Sequence, residues 1–215
     1  MVAFDGETMS ESEHWQRVYR TRKPVELSWH AGHLDRSLAA IEAVADPTSR
    51  IIDIGGGAST LADDLLARGF SDVTVLDISA TALERAKERL GGEAARVRWI
   101  VADVTRAVLQ KDAYDVWHDR AVFHFFVSAQ ERAAYAALAA RCIRVGGHLI
   151  IATFASDGPA RCSGLDVMRH DAQSLGTALG EAFMLTSEVH ALHRTPSGVD
   201  QAFVHCVFER VLDRG

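Results

Sequence analysis

Three isoleucines within four residues, Ile51, Ile52 and Ile54, run directly into Gly55-Gly56-Gly57, and a stretch follows with Leu61, Leu65 and Leu66 on one helical side. A strand apolar on both faces needs cover above and below, and a glycine bend between it and a helix reads as strand, tight turn, helix. The pattern recurs along the chain. Residues 73–76 form a second strand, and residues 80–90 a helix with Leu83, Ala86 and Leu90 on one face, ended by Gly91-Gly92. Residues 97–102 and 114–117 are the third and fourth strands. An alanine-rich helix over 129–144 is stopped by Gly146-Gly147, residues 148–154 make a fifth strand, and 168–179 another helical pattern. Strands separated by helices imply right-handed crossovers and a mainly parallel sheet covered on both sides. The end of the chain changes character. Runs at 185–191 and 201–209 are joined by His193-Arg194-Thr195-Pro196-Ser197-Gly198, a hairpin connection rather than a crossover helix.

At 215 residues and 48% apolar content, the chain is long enough for one continuous core and too apolar for a solvated coil. With 29 acids against 23 bases and no Lys/Arg run, nucleic-acid binding is not expected. No apolar stretch approaches the roughly 20 residues of a membrane span, and the acidic opening segment lacks the form of a secretory signal, so a cytoplasmic protein is expected. Cys142, Cys162 and Cys206 have neither disulfide nor zinc spacing. No apolar helix face is left over to demand a partner, which is compatible with a monomer. The division expected is a helical extension or lid over residues 1–45 and a ligand-binding domain over 46–215.

In such a sheet the ligand crevice lies beyond the carboxyl ends of the strands. The residues placed there are Asp53 with Gly55, Gly56 and Gly57, then Asp77, Asp103, and His118-Asp119. Glycine permits positive φ and lets backbone N–H groups approach a ligand. Asp77, 24 residues beyond Asp53, stands where an acid accepts both hydroxyls of a ribose. The third glycine of the dinucleotide fingerprint is absent, since the turn continues Ala58-Ser59-Thr60, and the acids would repel a pyrophosphate. Both points weigh against a nicotinamide-dependent oxidoreductase and favour a cationic nucleoside ligand.

The segments IIDIGGGAST, VTVLDIS, WIVADVT and YDVWHDRAVFHF, in that order, resemble the class I S-adenosylmethionine-dependent methyltransferases, with Ser59 in place of that family's usual third glycine. The resemblance implies a Rossmann-like three-layer α/β sandwich, its seven-stranded, mainly parallel sheet ending in an antiparallel hairpin. It implies S-adenosyl-L-methionine as cofactor. Gly55 and its neighbours would lie against the methionine part, Asp77 with Ile78 beside it would hold the ribose, and Asp103 with Val104 would meet the adenine. Asp53 would touch the cofactor or fix the glycine turn. With HWQRVYR, LSWH, RCSGL and HRTPSGVDQAF added, the chain resembles small bacterial relatives of the lysine methyltransferase that modifies citrate synthase and, more loosely, thiopurine and tellurite-resistance methyltransferases.

Methyl transfer needs alignment and dryness more than covalent help from the protein. If a base is used, His118, Asp119 and His124 are the candidates, and Arg120 is read as the partner of Asp119. In the N-terminal segment Trp29 is assigned to the ligand, His118 to the cofactor side as well, and Trp15 and Tyr19 to docking their helix on the sheet. Cys162 and Ser163 are expected at the pocket mouth. The acceptor expected is an N or S nucleophile of a small molecule or a protein lysine; a cofactor-binding scaffold without turnover is the remaining alternative.

Overall fold

The computed structural model describes residues 2–4 and 7–212, with a short antiparallel ribbon of Val2–Phe4 and Glu7–Met9 at its start. Among the described residues seven strands form the main sheet: β1 (Arg50–Ile54), β2 (Asp72–Asp77), β3 (Val97–Val101), β4 (Tyr114–Arg120), β5 (Ile143–Phe154), β6 (Phe183–Arg194) and β7 (Asp200–Arg210). Their order across the sheet is β3-β2-β1-β4-β5-β7-β6. The pairs from β3 to β5 are parallel, and β7 runs antiparallel to both β5 and β6. The chain therefore reverses its direction of travel between β1 and β4, where the expected crevice should open.

Six α-helices among the described residues cover the sheet: α1 (Glu11–Thr21), α2 (Asp35–Glu42), α3 (Leu61–Ala67), α4 (Ala80–Leu90), α5 (Ala129–Cys142) and α6 (Ala172–Leu179). Alternation along β1 decides which side each isoleucine serves. Ile51 packs with Leu38 and Ile41 of α2 and Leu61 and Leu65 of α3. Ile52 and Ile54 face the opposite layer with Trp117, Tyr135, Leu149 and Leu175. Helix starts follow their caps: Ser10, Ser79 and Ser128 accept at α1, α4 and α5, and the first and last form reciprocal boxes with Glu13 and Glu131.

Three element boundaries differ from expectation. β4 continues three residues past Trp117, so His118 and Asp119 belong to the strand and alternate between its faces. Gly146-Gly147 does not stop a helix. α5 ends at Cys142 and passes directly into β5 at Ile143, and Gly146 adopts φ +74° inside that strand, where the register with β4 also shifts. α6 begins only at Ala172, because Asp171 accepts from the Ser174 amide at 2.8 Å and fixes the start there. No helix among the described residues is long and apolar enough to cross a membrane.

Candidate active site

The bend after β1 is built from glycine for steric reasons. Gly55 and Gly57 have φ of +63° and +49°. A Cβ on Gly55 would run into Val122 Cγ2, and one on Gly57 would come within 2.7 Å of the Tyr19 hydroxyl and 3.0 Å of Asp77 Oδ2. Gly56 lies against the Asp53 carboxyl, where a Cβ would stand 2.5 Å from Oδ2. Ser59 takes over the end of the bend: its Oγ accepts from the Leu61 amide at 3.0 Å and starts α3, so the turn closes without a third glycine.

Beside this bend a crevice of about 770 Å³ opens over the ends of β1, β2 and β3. Gly55, Asp77, Ile78, Asp103 and Val104 all line it. These five share the crevice with Trp29, whereas Asp53, Gly56 and His118 of the expected set border the neighbouring cavity and Gly57 lines neither. Asp77 is buried, accepts from the Ser79 amide at 2.7 Å through Oδ1, and keeps Oδ2 beside Gly57. Burial, with a smaller contribution from the nearby Asp53 charge, pushes its carboxyl up to about 7. Asp103 spends Oδ1 on the Thr105 amide (2.8 Å) and hydroxyl (2.7 Å), which leaves Oδ2 for a ligand and a longer approach from Arg106 at 3.7 Å.

The catalytic candidates fare differently. His118 is enclosed, with Nδ1 2.7 Å from Asp53 Oδ1 and Nε2 2.8 Å from Ser37 Oγ. Both ring nitrogens are thus occupied, and the chain Asp53–His118–Ser37 ties β1, β4 and α2 together. Asp53 and His118 border a second cavity next to the crevice, along with Gly55 and Gly56. Asp119 points to the other face and has no exposure. Its carboxyl accepts from the Tyr135 hydroxyl at 2.7 Å and from the Val122 and Phe123 amides at 3.0 and 3.3 Å, and burial raises it to about 6. It holds the loop after β4 in shape rather than facing the crevice. His124 is turned inward by the short 3₁₀ turn Phe123–Phe125, stacked 4.6 Å from Phe154, and burial drives it down to about 3. Neither of its ring nitrogens has a hydrogen-bond partner among the described residues. The structure therefore takes Asp119 and His124 out of the crevice.

The N-terminal aromatics do more than dock a helix. Trp15, Tyr19 and Trp29 all line the crevice, with Trp15 packed edge-on to Trp29 at 5.6 Å and to Phe125 at 5.2 Å. Tyr19 also packs with Val18, Leu27 and Ala82, so it serves both purposes. Arg120 does not pair with Asp119, since successive strand residues point to opposite faces. Its guanidinium donates to the Trp29 carbonyl at 2.9 Å and to His193 Nδ1 at 3.3 Å, and lies 5.5 Å from the centre of the Phe203 ring. Sequence reading missed Phe125 and suggested the wrong partner for Arg120, although strand alternation was a signal against it. Cys162 lines the crevice as expected, as a buried thiol pushed up to about 11. Ser163 instead occupies the tight turn of the ribbon Arg161–Cys162 and Leu165–Asp166, at φ +50°.

Comparison with known proteins agrees with this layout. Residues 51–147 match the family described as methyltransferase domain. An uncharacterized methyltransferase of Mycobacterium tuberculosis is 33% identical over 127 residues, covering 59% of this chain and 60% of that protein. The eEF1A lysine and N-terminal methyltransferase of Danio rerio is 22% identical over 154 residues, 70% of this chain; the chain spans only 22% of that relative's length. Among solved structures, one described as "Conversion of a Disulfide Bond into a Thioacetal Group during Echinomycin Biosynthesis" superposes with a TM-score of 0.79 at 20% identity, covering 96% of this chain and 94% of the other. That likeness extends the fold across the N-terminal helices and the final hairpin. Residues 51–147 thus resemble a methyltransferase domain, and the chain as a whole has the Rossmann-like fold, with its acid-lined crevice at the β1/β4 reversal.

Proposed function

We propose that the protein is an S-adenosyl-L-methionine-dependent methyltransferase acting on an N or S nucleophile of a small molecule or of a protein lysine. The observation that carries this reading is the placing of the β2 and β3 terminal acids, Asp77 and Asp103, in one wall with the Cβ-free bend at Gly55. The buried Asp77 carboxyl, held by the Ser79 and Gly57 amides, fits a ribose diol: two hydroxyl donors would stabilise its charged form by charge-assisted bonds. Asp103 and Val104 fit the purine, and Ile78 and Leu76 supply apolar wall between them. When bound, the cofactor supplies a sulfonium-activated methyl group that an acceptor lone pair attacks in line while the C–S electron pair withdraws to sulfur.

The chain's own contribution is position and dryness. Trp15, Trp29 and Phe125 roof the crevice with aromatic surface, which excludes water and can face a cation. We assign residues 1–45 the role of a cover on the domain at 46–215, and Trp29 a place against the ligand. His118, Asp119 and His124 are held or enclosed by their neighbours, so His118 and Asp53 are assigned to fixing the glycine bend and no resident base is assigned. The acceptor nucleophile then gives its proton to solvent before it is enclosed. Kinship with the citrate synthase lysine methyltransferase rests on short sequence segments, and the lysine acceptor on the eEF1A relatives' names.

Calorimetric titration with S-adenosylhomocysteine tests the cofactor, with micromolar binding expected; no heat at millimolar ligand would sink the reading. Incubating the protein with labelled S-adenosylmethionine and a cell extract, then separating macromolecules from small molecules, shows which acceptor class takes the label.

A further inference from the structure

Three cavities meet at one side chain. Arg120 lines the crevice, the neighbouring cavity behind the glycine bend, and a third cavity of about 540 Å³ between the start of α2 and the β6–β7 hairpin. Its guanidinium is largely enclosed, and no carboxylate lies within ion-pair distance of it among the described residues. Two neutral acceptors hold it instead, the Trp29 carbonyl and His193 Nδ1. His193 is neutral by geometry: Nε2 lies 2.7 Å from the Ser28 carbonyl and must donate there, which leaves Nδ1 as the acceptor from Arg120. The charge of Asp53 reaches it only from beyond ion-pair distance, and that carboxyl is already bonded to His118, so a directly bonded anion would still complete this desolvated cation.

Where it lies identifies what would complete it. The cofactor acids stand on β2 and β3, on one side of the β1/β4 reversal. The Arg120 side chain extends the other way and rests over Phe203 of β7, a strand three positions from β1 and so about 14 Å across the sheet. The third cavity adds Arg36 beside the neutral His193 and His205, the latter held down to about 4 by burial, with Asp35 as the single carboxylate residue in its lining among the described residues. Acids thus line the half that would take the cofactor, and the cations Arg120 and Arg36 line the half left for the acceptor.

We propose that Arg120 receives an anionic group of the acceptor, a carboxylate or a phosphate, so that the substrate class is a small organic acid. The planar guanidinium can offer two parallel N–H donors to either group. The inference rests on the methyltransferase reading above and narrows its acceptor.

Protein saturated with S-adenosylhomocysteine is titrated with benzoate, with phenyl phosphate, and with benzamide, which has benzoate's size without its charge. At least one anion is expected to bind tenfold or more tightly than benzamide, and the stronger of the two names the group. Arg120→Met should abolish that ratio and Arg120→Lys keep part of it, a readout that loss of the Trp29 contact alone would not move. The ratio in the unaltered protein needs no variant to fold. Equal affinity for acid and amide, or a ratio that survives Arg120→Met, overturns the proposal. So does a tenfold loss of S-adenosylhomocysteine affinity in Arg120→Met with 5′-methylthioadenosine binding unchanged, which would put the guanidinium on the cofactor's own carboxylate. Failure of the unaltered protein to bind S-adenosylhomocysteine refutes the methyltransferase reading first, and this one with it.

Discussion

Replacing Asp77 by Asn separates what this carboxyl costs the fold from what it gives the ligand. In the free protein burial raises the group from an ordinary 3.8 to about 7. An acid with a raised folded-state value holds its proton more tightly folded than unfolded, so stability is lost as pH climbs from about 4 to 7 and stays low above that. A shift of this size corresponds to about 4 kcal/mol at pH 8. The substitution removes the charge but sets an NH₂ group against the Gly57 region where Oδ2 now lies, at a cost of about 1–3 kcal/mol for a badly matched buried donor. The net expectation is a gain of about 1–3 kcal/mol at pH 8, or roughly 2–12 °C in melting temperature for a chain of this length. Cofactor binding should move the opposite way. Loss of charge-assisted bonds to two hydroxyls should weaken S-adenosylhomocysteine by about 1.5–3 kcal/mol, ten- to hundredfold. In the unaltered protein the same affinity should rise with pH between about 6 and 8, because the ligand favours the ionised carboxyl, and Asp77→Asn should flatten that slope. Scanning calorimetry and titration at the two ends of that range decide the matter. A variant that melts lower at the alkaline end yet binds S-adenosylhomocysteine as before would refute both the burial cost and the ribose role.

Three other perturbations have defined outcomes. Gly55→Ala places a Cβ in a left-handed conformation and into Val122, so it should cost about 1–2 kcal/mol of stability and reduce S-adenosylhomocysteine affinity at least tenfold, read by melting and titration. Tyr135→Phe removes the hydroxyl that donates to Asp119 and accepts from Trp117 Nε1 at 2.9 Å; denaturant unfolding should show a loss of about 2–4 kcal/mol, and a loss under about 0.5 would show that water replaces it. Trp29→Ala should lower turnover of the acceptor found by labelling at least tenfold and change S-adenosylhomocysteine affinity by less than threefold. Equal losses would place Trp29 on the cofactor alone.

The unequal visibility of the two halves of the site has a physical origin. The positions of Asp77 and the glycine bend were legible because each closes or directly follows a buried apolar run, that of Asp103 because it follows the edge strand β3, and parallel strands in register deliver their ends to one line. His118, Asp119 and His124 follow one another just as closely in sequence, yet alternation and a 3₁₀ turn send them to three environments: a buried chain to Asp53 and Ser37, a cap for the loop after β4, and an aromatic core. Spacing alone gave no sign that Ser37, 81 residues from His118, closes the first of these. Trp15 and Tyr19 were read as core because four-residue spacing marks a helix face, and such spacing says nothing of whether that face meets a sheet or a crevice.

Apolar periodicity and glycine were enough to set the layer architecture and the acid-lined bend, since burial of a face and the absence of a Cβ are properties a residue carries wherever the chain goes. Which polar groups meet was settled only by the packed sheet. Arg120 reaches over Phe203 to His193, 73 residues away, because β7 inserts between β5 and β6, and strand order is a property of the whole sheet rather than of any one segment.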